Sequence, residues 1–125
     1  MFDFFRKEKK EKKEQVQEEV LTEESKQLIQ EKIDNLKNQD TTKNDSYYEK
    51  LGLLYYELDE KDHAIENLEE SLKLKPSVGD GYKKLMTLYN SKRAEAAKNG
   101  DDEGIETYMN KLDELRQIAR KHTIS

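Results

Sequence analysis

Residues 47–58 read YYEKLGLLYYEL. The stretch has the composition of a single helix, yet it carries four tyrosines and an interior glycine, Gly52. A glycine inside a helix costs about 1 kcal/mol relative to alanine. Because 41% of the chain is charged and only 33% is apolar, large rings gathered around a glycine indicate a site where helices pack closely.

The spacing around Gly52 returns further along the chain. A shift of 34 residues superimposes three large apolar residues of the first unit on identical residues of a second unit. Three such matches indicate an internal repeat. The matched positions are Tyr48, Leu51 and Tyr55 in the first unit and Tyr82, Leu85 and Tyr89 in the second, and the first unit also contains Gly52, Ala64, Leu68 and Pro76.

The first unit closely resembles the tetratricopeptide repeat (TPR), whose 34-residue signature has an aromatic residue, Leu-Gly and Tyr on one helix, Ala and Phe on the next, and a closing Pro. The resemblance covers residues 45–121. It implies antiparallel helix pairs and a concave groove that binds extended peptides. Gly52 and Ala64 are small where two such helices would cross, so we expect larger side chains there to destabilise the fold.

The second unit departs from the pattern in two places. Met86 stands at the glycine position, and "Gly-Ile-Glu" at 104–106 matches "Ala-Ile-Glu" at 64–66 from 40 residues away. We infer an insertion of about six residues that lengthens the preceding helix by about 9 Å, at about 1.5 Å per residue. This longer helix is expected to end at Asn99-Gly100, which is typical of a C-cap.

The chain is therefore predicted to be all-α, with about two antiparallel helix-turn-helix repeats behind an N-terminal capping helix and a mobile N-terminal tail. Thr22 is the expected N-cap of the capping helix. The last helix is expected to bury Ile105, Tyr108, Met109, Leu112, Leu115 and Ile118. The predicted regions are the tail at 1–19, the capping helix at 20–38 and the repeat domain at 45–121, with helices at 45–58, 61–74, 78–98 and 102–121.

One face of helix 45–58 is a candidate binding site. Leu53 and Tyr56 lie on the side opposite Leu51, where a helix packed on one side should be polar. By the resemblance, this side lines the peptide groove. Its acidic rim favours a partner with basic and apolar residues, and the alternative is that the chain's own first helix covers Leu53 and Tyr56. The groove candidates are Ser46, Glu49, Leu53, Tyr56 and Glu57, followed on the next helix by Asp80, Lys83, Thr87, Asn90 and Ser91.

The N-terminal segment MFDFFRKEKKEKK is a second candidate. Six basic and three acidic residues give residues 1–13 a charge of +3, and since the whole chain carries −5, the remainder carries −8. Aromatic residues followed by a basic run are typical of contact with anionic membranes. Docking of the aromatic tip on a protein and a purely solubilising tail are the alternatives. The membrane-contact candidates are Phe2, Phe4, Phe5, Arg6, Lys7, Lys9 and Lys10.

Several classes of function find no support in these residues. An acidic body argues against general nucleic-acid binding. The absence of cysteine excludes disulfides, thiolate nucleophiles and Cys-based zinc sites. His63 and His122 are isolated, and no phosphate-binding loop or nucleophile motif is present, so we expect no enzyme, metal or cofactor. Residues 99–104 match the start of an EF-hand loop, but its bidentate Glu would be Asn110, so we interpret them as a helix stop and an acidic helix start.

The residues together predict a non-enzymatic adaptor that binds a protein or peptide segment in its groove. Because no apolar stretch has the length of a secretory signal or a membrane span, we expect a cytoplasmic protein of a bacterium, with the tail contacting the inner face of the membrane. Repeat arrays usually need about three units, and self-association would supply further burial. The alternative function is therefore a structural, homodimeric scaffold in which Leu53 and Tyr56 form the dimer contact.

Overall fold

A computed structural model describes residues 21–39 and 41–124, without the side chains of the last two. This part of the chain is all-α, which confirms the predicted class. The predicted tail at 1–19 lies outside the described residues. The helices are α1 (Glu23–Asn38), α2 (Asp45–Glu57), α3 (Lys61–Leu74), α4 (Asp80–Lys98) and α5 (Asp102–Ile124).

Side-chain caps fix the starts of α1 and α2. The Thr22 hydroxyl accepts the backbone N–H of Ser25 at 3.1 Å, as predicted for α1. Asn44 Oδ1 accepts from Tyr47 N at 2.9 Å before α2. Each bond satisfies one of the N–H groups that a helix start leaves without a partner.

In the turn between α4 and α5, Gly100 ends the first helix and Asp101 caps the start of the second. Gly100 has φ of +69°, a left-handed conformation that glycine adopts without strain and that commonly ends a helix. Asp101 Oδ1 then accepts from Gly104 N at 3.0 Å. The predicted helix stop and acidic helix start are confirmed, and Asn110 lies within α5.

Helices α2 and α3 form an antiparallel hairpin. At one end the Ser71 hydroxyl donates to the Asp45 carbonyl at 2.8 Å, and at the other end the Tyr55 and His63 rings stack with centroids 5.0 Å apart. The start of each helix therefore lies beside the end of the other.

Gly52 lies where these two helices approach most closely. A Cβ atom on Gly52 would stand 2.6 Å from Leu68 Cγ and 3.1 Å from the Leu68 backbone nitrogen. Ala64 on α3 is fully buried. The close contact at Gly52 agrees with the predicted helix crossing, and for Ala64 the structure shows burial.

Helices α4 and α5 form the second hairpin. A Cβ on Gly104 would lie 3.0 Å from Ala96 Cβ, and the rings of Tyr89 and Tyr108 are 6.0 Å apart. Helix α4 has 19 residues and α2 has 13, so the predicted lengthening by about six residues is confirmed. Met86, at the position of Gly52, is half-buried against the core.

The remaining contacts join the two hairpins and α1 into one body. Lys61 Nζ on α3 donates to Ser91 Oγ on α4 at 3.1 Å. Helix α1 packs on α2, where Lys37 Nζ lies 5.4 Å from the centre of the Tyr55 ring. The core cluster consists of Ile29, Ile33, Tyr47, Leu51, Tyr55, Ala64, Ile65, Leu68, Leu72, Tyr82, Leu85, Leu88, Tyr89, Leu112 and Leu115.

Two expectations about burial need correction. Met109 was expected in the core, but half of it is exposed, because it lies on the outer face of α5, which no other described helix covers. In α2 the repeat match falls on Tyr48, which is only half-buried, and its neighbour Tyr47 is buried instead. The two rings meet edge to face with centroids 5.1 Å apart.

Among the described residues, no helix combines the length and the apolar character needed to cross a membrane.

Replacing Gly52 by alanine tests the helix crossing. In an ordinary helix interior this change would stabilise the protein by about 1 kcal/mol. Here the added methyl must displace Leu68, and overpacking of this kind costs about 1–3 kcal/mol. We therefore expect chemical denaturation to show a lower free energy of unfolding for Gly52→Ala.

Gly79→Ser is the matched control, because nothing lies within 4 Å of a Cβ at that position and serine is a favourable N-cap for α4. Its free energy of unfolding should be unchanged or higher. A Gly52→Ala protein as stable as the control would show that α2 and α3 do not cross at Gly52.

Candidate functional site

The predicted groove residues lie on two neighbouring helices, α2 and α4. We call this surface the α2–α4 face and define it by Leu53, Tyr56, Lys83, Lys84 and Thr87. The two large apolar residues, Leu53 and Tyr56, are half-buried, whereas Lys83, Lys84 and Thr87 are exposed. The other predicted positions Ser46, Glu57, Asp80 and Asn90 are also exposed.

Glu49 joins the two helices of this face. Its Oε2 accepts the backbone N–H of Gly81 at 3.1 Å. The N-cap residue of α4, Gly79, makes no side-chain cap bond, so the carboxylate from α2 takes that role. A Cβ on Gly81 would stand 2.7 Å from the same oxygen, and the missing side chain therefore allows the contact.

Glu49 was predicted as a groove residue, and the structure gives it a bond within the protein. A carboxylate at a helix N-terminus is favoured by the helix dipole as well as by the hydrogen bond. Residues 32 positions apart make this contact, and a periodic pattern does not reveal it. Its carboxylate is directed at the start of α4.

Tyr56 carries a cation above its ring. Lys84 Nζ lies 5.0 Å from the ring centroid, within the range of a cation–π interaction. Lys84 was missed by the sequence reasoning, which counted only the positions given by the TPR resemblance. Together with Lys83 it adds two cations to a rim that also carries the exposed carboxylates of Glu57 and Asp80, so the rim is mixed in charge.

Leu53 lies on the other side of the face, against α1. It lines a groove of about 420 Å³ together with Leu36 of α1 and its own neighbour Leu54. The first helix therefore accounts for part of the burial of Leu53, as the alternative reading proposed. Tyr56 is placed by α4 instead, through Lys84.

Three polar candidates on α4 bond within the protein. Thr87 Oγ1 donates to the Lys83 carbonyl at 3.2 Å, and Asn90 Nδ2 donates to the Met86 carbonyl at 3.1 Å. Both side chains remain exposed. The Ser91 hydroxyl, in contrast, accepts a hydrogen bond from Lys61 of α3. Ser91 therefore belongs to the contact between the two hairpins and not to the groove.

A cluster of three polar residues joins α3, α4 and α5. Glu69 Oε2 accepts from the Tyr89 hydroxyl and from Lys111 Nζ, the latter at 2.8 Å. Burial, and then the hydrogen bond to Glu69, raise the pKa of the Tyr89 phenol well above its usual range. The same carboxylate raises the pKa of the Lys111 ammonium through a hydrogen bond. The cluster stabilises the stack of helices and was missed from the sequence.

Both histidines contact other parts of the protein. His63 stacks on Tyr55, and His122 Nε2 lies 2.9 Å from the Pro76 carbonyl oxygen. The membrane-contact candidates Phe2 to Lys10 lie outside the described residues, and their role stays a prediction.

Comparison of the chain with family models, with curated proteins and with solved structures gives no match.

Glu49→Ala tests the bond between α2 and α4. Loss of an N-terminal cap typically costs about 1 kcal/mol, and alanine is the better helix former, so a lower free energy of unfolding would have a tertiary cause. Ser46→Ala, at an exposed position of the same helix, should leave the denaturation midpoint almost unchanged. Equal midpoints for both variants would contradict the role of Glu49.

The Tyr89 cluster predicts a loss of stability at alkaline pH. Tyr89 and Lys111 hold their protons more tightly in the folded than in the unfolded chain. Their contribution is therefore complete below the unfolded pKa values of about 10 and is lost as the pH rises above them. Between about pH 9 and pH 11, the free energy of unfolding should fall more steeply for the wild type than for Tyr89→Phe. Tyr48→Phe should keep the wild-type slope, and parallel curves for all three proteins would refute the assignment.

Proposed function

We propose that residues 45–121 form two TPR-like hairpins and act as a non-enzymatic adaptor that binds a protein segment on the α2–α4 face. The observation that carries this proposal is Tyr56, a half-buried aromatic ring on the solvent side of α2 with the Lys84 ammonium above it. The ring packs against the edge of the core, and its exposed part offers contact area to a partner.

The arrangement of the helices supports the TPR-like part of the proposal. Small residues stand at the crossing of the first hairpin, and the first helices of the two hairpins, α2 and α4, are neighbours through the bond from Gly81 to Glu49. The second hairpin follows with the same antiparallel packing. In such an array the first helices share one surface, which is the surface that holds a peptide.

The chemistry of the face favours a partner segment with both apolar and acidic residues. Leu53 and Tyr56 offer apolar area, and aromatic residues of this kind often dominate the binding energy at interfaces. Lys83 and Lys84 are exposed cations, whereas the nearby carboxylate of Glu49 is already bound to α4. An acidic group on the partner would pair with the lysines and set its orientation.

We place the protein in the cytoplasm. We also keep the N-terminal residues Phe2 to Lys10 as the part that contacts an anionic membrane surface. Pelleting with acidic but not neutral vesicles, reduced by salt, is the behaviour expected of such a segment.

Selection from a random peptide library tests the adaptor function. We expect the immobilised protein to enrich peptides that combine aromatic or aliphatic residues with Asp or Glu. For a fluorescein-labelled selected peptide, Tyr56→Ala and Lys84→Glu should each weaken binding by about tenfold or more, equivalent to about 1.4 kcal/mol.

Met109→Ala is the control, because it removes an exposed apolar residue from the outer face of α5, away from the proposed site. It should bind the peptide like the wild type. Enrichment without acidic residues, or equal loss in all variants, would contradict the proposed face. A tight dimer in sedimentation that Leu53→Glu dissociates would show instead that this surface is a homodimer contact.

A further inference from the structure

The α1–α2 groove is an apolar depression beside the second half of α1. Its apolar lining comes from Leu36, Leu53 and Leu54, all half-buried, and the exposed side chains of Lys32 and Lys50 lie beside them. The groove measures about 420 Å³, which is within the range of volumes that hold a ligand or several side chains.

The two ends of the helix stack differ in how they meet solvent. The outer face of α5, at the C-terminal end, is formed by exposed polar residues apart from Met109. At the other end, α1 packs only on α2 among the described helices. It leaves Leu28 59% exposed and the groove open. The N-terminal end therefore retains apolar surface that a further segment could cover.

The chain itself supplies a segment of matching chemistry close by. Residues 1–20 join directly to α1, and their first five residues contain all three phenylalanines of the protein, Phe2, Phe4 and Phe5. The groove begins beside Lys32, nine residues into α1, which is about 14 Å at 1.5 Å per residue. Phe5 lies sixteen positions before Leu21, and even with a helical rise this length of chain covers about 24 Å. The aromatic tip can thus double back and reach the groove.

The charges of the tip and the groove are also complementary. Asp3 stands between the phenylalanines, and Lys32 and Lys50 are the cations of the groove. Arg6 follows the tip, and Glu57 lies at the far side of the groove. A tethered segment also acts at an effective concentration in the millimolar range, which favours it over a second copy at ordinary protein concentrations.

We propose that, away from a membrane surface, the aromatic tip formed by Phe2, Phe4 and Phe5 docks in the α1–α2 groove of its own chain. Docking buries the phenylalanines against Leu36, Leu53 and Leu54 and completes the N-terminal end of the stack. This inference does not rest on the proposed peptide binding. The two sites share Leu53, but the groove is completed by Leu36 of α1 and the peptide site by Lys84 of α4.

Paramagnetic relaxation enhancement in the full-length protein tests the docking. The chain has no cysteine, so a nitroxide can be attached to one introduced residue. Glu31→Cys places the label on exposed α1 beside the groove without lining it. The amide signals of residues 2–5 should lose most of their intensity. Asn110→Cys, on the outer face of α5, is the matched control and should leave these signals unchanged.

Two further measurements identify the occupant. When nitroxide-carrying protein without ¹⁵N is mixed with ¹⁵N-enriched protein without a nitroxide, the tip signals of the ¹⁵N protein should keep their intensity, because the contact is within one chain. In the full chain, changing all three phenylalanines to serine should shift the methyl signals of Leu36 and Leu54 but not those of Leu112. Changing Gln15 and Gln17 to serine should shift none of them.

No loss of intensity from the label at position 31 would overturn the proposal. Loss that occurs only in the mixture would overturn it as well, because the groove would then hold the tip of a second copy. Equal methyl shifts in the variant that lacks the three phenylalanines and in the variant that lacks Gln15 and Gln17 would show a general effect of the segment. That result would also contradict docking of the phenylalanines.

Discussion

The contact between Gly52 and Leu68 is the constraint on which the rest of the fold depends. The absence of a side chain at Gly52 lets α2 approach the Leu68 backbone. This approach brings the ends of the helices into register, where Ser71 bonds the start of α2 and Tyr55 stacks on His63. In a chain with 33% apolar residues, such close packing obtains more dispersion contact from each buried side chain. The glycine's low helix propensity is offset by that gain.

The second hairpin reaches a stable packing by a different route. Met86 replaces the glycine, and the contacts around Glu69 bring α3, α4 and α5 together through hydrogen bonds. These bonds are half-buried, so they are screened less than an exposed pair such as Arg116 with Asp113, which contributes little. The face that carries the proposed function depends on both hairpins, because Tyr56 comes from one and Lys84 from the other.

The features that the sequence predicted are those set by local chemistry and by the repeat. Helices α2 to α5 begin and end within about one turn of the predicted positions. Thr22 and Gly100 act as a cap and a stop, and the extra residues lengthen α4. A cap, a left-handed glycine and a helix length each depend on neighbours close in the sequence, and this explains why residue type alone identified them.

The features that were missed depend on contacts between distant residues. A pattern of apolar residues shows which side of a helix avoids water but not whether a neighbour exists there. Met109 is exposed for this reason, since none of the described helices follows α5. Glu49 and Lys84 acquire their contacts from the angle at which α2 and α4 meet, and that angle is set by the core.

The most direct test of this account is the proton–proton contact at the helix crossing. In a nuclear Overhauser spectrum of the full-length protein, the Gly52 α-protons should show strong cross-peaks to the Leu68 methyl groups, because a Cβ at Gly52 would stand 2.7 Å from Leu68 Cδ2. Helical chemical shifts for α2 and α3 without these cross-peaks would contradict the account, since the helices would then exist without crossing at Gly52.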